Sequence, residues 1–158
     1  MKNQLEILAE SLDKKIQVLH EIQNYNLRQE ECFQNGQADL NTFDQAVEEK
    51  ERLIQKLNQL EEGFDTLYQG LAAQLKEDRN RYTEEIRILQ EKIREVTELS
   101  MSVQAQESRN KKLIEDFFAK QRAGLNQSRK NSKAMYDYYK NVSKVQNYAP
   151  SSGYDFKS

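Results

Sequence analysis

The chain has 158 residues and a net charge of -2; 37% of its residues are apolar and 32% charged, with one proline, five glycines and no tryptophan. That length is one domain, and that composition belongs to long helices with a narrow apolar stripe, which excludes a thick globular core. No apolar run approaches the roughly 18 residues of a membrane span, and Met1-Lys2-Asn3-Gln4-Leu5-Glu6 lacks the apolar stretch of a signal peptide, so a cytoplasmic location is expected.

The first helix is predicted over about residues 3–34. Leu5, Leu8, Leu12, Ile16, Leu19 and Ile22 recur at three- and four-residue steps and therefore share one face. Asn35-Gly36 ends it, because both residues tolerate the left-handed conformation that terminates helices. Cys32, the single cysteine, excludes an internal disulfide and reads as a buried or half-buried thiol.

A second helix is predicted over about 41–77, with Asp39 or Asn41 capping its first free N–H groups. Phe43, Val47, Leu53, Ile54, Leu57, Leu60, Phe64, Leu67, Tyr68, Leu71 and Leu75 form a stripe wide enough to face two neighbours. Gly63 and Gly70 lie one heptad apart on this helix, where each costs about 1 kcal/mol relative to alanine. Close helix contact and a kink are the two reasons to keep them.

The polar run Lys76-Glu77-Asp78-Arg79-Asn80-Arg81 marks the second turn by loss of the stripe. A third helix over about 81–118 carries Ile86, Leu89, Ile93, Val96 and Val103. Its stripe thins through Gln104-Ala105-Gln106-Glu107-Ser108-Arg109-Asn110 and returns at Leu113, Ile114, Phe117 and Phe118. The expected fold is all-α: an elongated antiparallel three-helix bundle, or coiled-coil hairpin, over 1–118, with a protruding C-terminal helix over 119–146 and a disordered tail over 147–158.

Length matching supports the protrusion. At 1.5 Å per residue the second and third helices match, and Cys32, Phe33, Phe43, Phe117 and Phe118 gather at one end of the rod. Beyond that end the chain still carries Leu125, Met135, Tyr136, Tyr138 and Tyr139, and five of its eight tyrosines follow residue 135. Residues 119–158 hold eight Lys/Arg against Asp137 and Asp155, a net +6, which leaves -8 on the first 118 residues. A basic, apolar-bearing helix with no partner in its own chain predicts a protein-binding segment.

Catalytic equipment is missing from the sequence, and no enzyme activity or cofactor is expected. His20 is the only histidine, so neither a multi-histidine metal site nor a di-iron bundle with its Glu-x-x-His pairs can form. There is no Gly-rich phosphate loop. Glu48-Glu49 and Glu61-Glu62 read as solvated faces. The basic end with its tyrosines could meet nucleic acid, but the acidic remainder would repel it, and tyrosine is equally enriched at protein interfaces. No nucleic acid is expected as a partner.

Three stretches then carry a resemblance. They are Phe43-x-x-x-Val47-Glu48-Glu49-Lys50-x-x-Leu53-Ile54-x-x-Leu57-x-x-Leu60-Glu61, Gln106-Glu107-x-Arg109-Asn110-x-x-Leu113-Ile114, and Tyr136-Asp137 within the basic end. In this order they resemble the FlgN family of flagellar export chaperones, over roughly residues 5–140. Where that family often has a glycine soon after the tyrosine, Tyr138-Tyr139-Lys140 stands here. The resemblance implies an all-α cytosolic chaperone that holds the C-terminal helical regions of hook–filament junction proteins, prevents premature assembly and delivers them to the export apparatus. It attributes partner binding largely to the C-terminal portion; the expected contacts are Asn110, Leu113, Ile114, Phe117, Phe118, Leu125, Met135, Tyr136, Tyr138 and Tyr139. A filament-cap chaperone of the same general class and a structural coiled-coil protein are the alternatives. Homodimerisation through an exposed seam stays open.

Overall fold

The computed structural model describes residues 1–34, 37–124 and 138. Three α-helices are present among the described residues: α1 (Lys2–Glu31), α2 (Leu40–Glu77) and α3 (Thr83–Gly124). Their 30, 38 and 42 residues correspond to rods of about 45, 57 and 63 Å. Among the described residues there is no strand. The protein is an all-α helical bundle, as the periodicity predicts.

The helix ends follow from local chemistry. Asp39 caps α2: its carboxylate accepts the Thr42 N–H at 3.1 Å and the Thr42 hydroxyl at 2.6 Å. That satisfies one of the donors a helix start leaves free. At the end of α1, the Cys32 N–H is shared between the Arg28 and Gln29 carbonyls, and the Asp39 N–H closes the connection onto the Cys32 carbonyl at 2.9 Å. The Asn35-Gly36 stop predicted for this turn lies outside the described residues. In the second connection, Arg79–Tyr82 form a single 3-10 turn. The Arg81 N–H reaches back to Asp78, and the Thr83 hydroxyl donates to the Asn80 carbonyl at 3.0 Å. Helix α3 therefore begins two residues later than the stripe predicts.

Helix α1 packs against both α2 and α3, so its apolar face supplies the middle of the main core. Leu5, Leu8, Leu12, Leu19 and Ile22 of α1 meet Leu57, Phe64 and Leu71 of α2 and Leu89, Val96 and Val103 of α3. Each of these residues is buried; a fully buried aliphatic or aromatic side chain contributes roughly 1.5–3 kcal/mol from removed apolar surface. One charge interrupts this core: Lys15 is buried and forms an ion pair with Glu61, so Glu61 is not the solvated residue that its acidic neighbourhood suggested. Gly63 and Gly70 are exposed, with nothing within 4 Å of a built Cβ. Close contact with another helix of this chain is not what keeps them.

Helix α3 runs six residues past 118, into the predicted helical extension, and residues 119, 120, 122 and 123 are exposed. Apart from Tyr138, the rest of the predicted 119–146 extension and the predicted 147–158 tail lie outside the described residues. Tyr138 does not project. A helix unbroken from Glu107 to residue 138 would separate the two by about 46 Å, yet the Tyr138 hydroxyl donates to Glu107 Oε1 at 2.8 Å. At this position the end segment has a partner in its own chain.

Candidate functional site

The main core stops at Ile22 on α1 and Val103 on α3, and a layer of polar side chains takes over. Asn26 and Gln29 of α1, Lys50 of α2, and Gln106, Glu107 and Asn110 of α3 are all buried. They occupy stripe positions. Asn26 and Gln29 follow Ile22 by four and seven residues, Lys50 falls between Val47 and Ile54, and Gln106 and Asn110 continue from Val103. The thinning of the α3 stripe through residues 104–110 is therefore not a loss of contact. It is a switch from apolar to polar contact within the same seam.

Lys50 is the centre of this layer. Its ammonium donates to Asn26 Oδ1 at 2.8 Å, Gln29 Oε1 at 2.6 Å and Glu107 Oε1 at 2.7 Å. All three of its N–H bonds are thus used. Burial pushes its pKa down to about 8, against the opposing pull of Glu107. The amides complete the frame. Asn110 Nδ2 donates to the Asn26 carbonyl at 3.0 Å, Asn26 Nδ2 to Gln106 Oε1 at 3.2 Å, and Gln29 Nε2 to the Phe43 carbonyl at 3.2 Å. One atom is left over: Glu107 Oε2 is buried and has no hydrogen-bond partner.

Beyond the polar layer lies a second apolar cluster, at the end where α1 closes, α2 opens and α3 passes. Cys32, Phe43, Val47, Ile114 and Tyr138 form its buried part, and Phe33, Leu40, Phe117 and Phe118 its half-buried rim. Phe33 and Phe43 meet edge to face, with centroids 5.5 Å apart at 72°, and Phe33 lies 5.9 Å from Phe117 at a tilted 55°. Such geometry suits the quadrupoles of aromatic rings. This is the gathering of aromatics that helix lengths predict. Tyr138 joins the two regions, with its ring 4.5 Å from the Lys50 ammonium and its hydroxyl on Glu107. Cys32 donates its thiol to the Arg28 carbonyl at 3.2 Å, and burial raises its pKa, with Asp39 and Glu31 adding to the effect.

The predicted partner-binding residues divide into three groups. Leu113, Phe117 and Phe118 are half-buried at the rod end, and Asn110 and Ile114 are fully inside. Tyr138 is covered with them. Leu125, Met135, Tyr136 and Tyr139 lie outside the described residues. Sequence reasoning missed Lys50, Glu107, Asn26 and Gln29 as a connected group. The signal was present: a lysine and two amides stand where the heptad pattern calls for apolar residues. His20 is exposed, and its Nδ1 lies 3.1 Å from Gln23 Oε1. Among the described residues no three His, Cys, Asp or Glu side chains group as metal ligands, and no helix is long and apolar enough to cross a membrane.

The first two stretches that carried the family resemblance converge in space at this layer, and the third, Tyr136-Asp137, lies outside the described residues. Lys50 comes from the first and Gln106, Glu107 and Asn110 from the second, while Tyr138 directly follows the third. By class the molecule is an all-α bundle with a polar layer and an aromatic end. The family model described as FlgN protein matches residues 1–144. The chain belongs to the FlgN family, a family of flagellar export chaperones and not of enzymes. No curated protein and no solved structure matches it.

Proposed function

We propose that this protein is a cytoplasmic flagellar export chaperone that binds the C-terminal helical regions of hook–filament junction proteins, keeps them from assembling prematurely and delivers them to the export apparatus. Family membership supports the chaperone class. The observation that supports the site is the half-buried rim of Phe33, Leu40, Phe117 and Phe118 around an apolar end cluster. An amphipathic helix needs a partner for its apolar face, and half-buried aromatics over an apolar cluster offer one. The net +6 of residues 119–158 would steer acidic cargo and raise the rate of encounter.

Calorimetric titration with a purified hook–filament junction protein tests this reading. The variant Phe118→Ala should weaken binding by about tenfold or more, the scale of an aromatic anchor, while far-UV circular dichroism keeps its helical signal. A chain ending at residue 118 that bound cargo at full strength would remove the end segment from the site. Equal affinity for a filament-cap protein would redirect the cargo assignment.

A further inference from the structure

We propose that Tyr138 is an intramolecular latch, seated in the free chain on the surface that a partner helix occupies and leaving when that helix binds. The seat is built from both kinds of contact. The ring of Tyr138 is 6% exposed and packs in one cluster with Cys32, Phe43, Val47 and Ile114. Its hydroxyl donates to Glu107 Oε1 at 2.8 Å, and its ring stands 4.5 Å from the Lys50 ammonium. Lys50 and Glu107 are 0% and 2% exposed, so Tyr138 is part of what keeps this charged pair from water. Ile114 and Asn110 are closed off in the same state.

The seat is also one hydrogen bond short. Glu107 Oε2 is buried without a donor, and an unsatisfied buried carboxylate oxygen carries a desolvation cost. The closed state is stabilised by Tyr138 but not saturated. A partner helix that covers the same apolar cluster and brings a side-chain donor to Glu107 completes what Tyr138 leaves incomplete. Phe33, Phe117 and Phe118 stay half-exposed beside the latch and offer the first foothold. If the latched form predominates about ten to one, apparent affinity is about tenfold weaker than that of an unlatched chain.

The partner, and the surface it would occupy, rest on the proposed function; the seat of Tyr138 does not. Full-length wild type, Tyr138→Ala and Tyr138→Phe are titrated with a purified hook–filament junction protein, and the free chains are compared for binding of the apolar dye anilinonaphthalene sulfonate. Tyr138→Ala should bind about tenfold tighter, Tyr138→Phe about threefold tighter through its lost hydrogen bond, and the free Tyr138→Ala chain should bind more dye at unchanged helicity. Unchanged or weaker affinity in the variants overturns the latch. If Tyr138→Ala loses helicity, Tyr138→Phe decides alone by the same criterion. If no chain binds the junction protein, the partner assignment fails and the dye decides the latch: no rise in the Tyr138→Ala chain overturns it.

Discussion

The Lys50 ammonium lies 2.7 Å from the Glu107 carboxylate, between α2 and α3, with neither side chain reaching solvent. Such a pair is poor evidence of net stabilisation, because two desolvated charges cost much of what their attraction returns. Its value is in register. Lys50 meets Asn26 and Gln29 on α1 as well as Glu107 on α3. A slide of any helix by one turn would strand a buried charge.

Breaking the pair on one side should therefore be severe. Lys50→Met leaves Glu107 buried without its cation and is expected to lower stability by about 3–5 kcal/mol. The double variant Lys50→Met/Glu107→Leu should recover most of that loss. Urea unfolding followed by far-UV circular dichroism measures both, and a single variant as stable as wild type would contradict the role given to the layer.

The same lysine gives stability a pH dependence. Its pKa is about 8 in the fold, against 10.5 for an ordinary lysine. Between those values the unfolded chain holds a proton that the folded chain has lost, so stability should rise with pH, by at most about 1.4 kcal/mol per unit. Below pH 8 both states are protonated and the slope from Lys50 vanishes. Urea midpoints from pH 7.5 to 10 should climb in wild type relative to Lys50→Met; parallel curves would rule the effect out.

Gly63 and Gly70 offer a change in the other direction. Both sit inside α2, exposed and clear of neighbouring atoms. Gly63→Ala and Gly70→Ala should each stabilise by roughly 1 kcal/mol. Thermal and urea unfolding of the single variants would show it. If either alanine weakened self-association measured by sedimentation, the glycines would belong to an interface between copies.

The start of α2 depends on Asp39. Its carboxylate is held below the ordinary value of 3.8 by hydrogen bonds from Thr42. A depressed folded pKa means that this contribution is present above that value and disappears as pH falls through the folded one. Asp39→Ala should lower the melting temperature at neutral pH, and the difference from wild type should shrink on acidification. A constant difference down to pH 2 would assign the loss to something other than the ionised cap.

The three helices were legible because their stripes are long and the chain has few competing signals. Helix ends at Glu77 and Thr83 fell within two residues of expectation, and the aromatic end followed from length alone. Lys50 and Glu107 were not legible as partners. A charged residue in a stripe position reads equally well as a break in the helix seam, and only the facing helices decide. Tyr138 was hidden for a different reason. Periodicity follows a helix onward, and contains no information about a residue returning to its side.

Cys32 turns this arrangement into something that can be timed. The thiol sits in the cluster that Tyr138 covers, at 6% exposure, and its raised pKa leaves little thiolate at neutral pH. Alkylating reagents attack the thiolate, so a closed end should react slowly and an opened one at the pace of an ordinary cysteine. With no other cysteine in the chain, the mass added per minute is a clock on a single site. The molecule thus carries a built-in reporter of how often its binding end breathes.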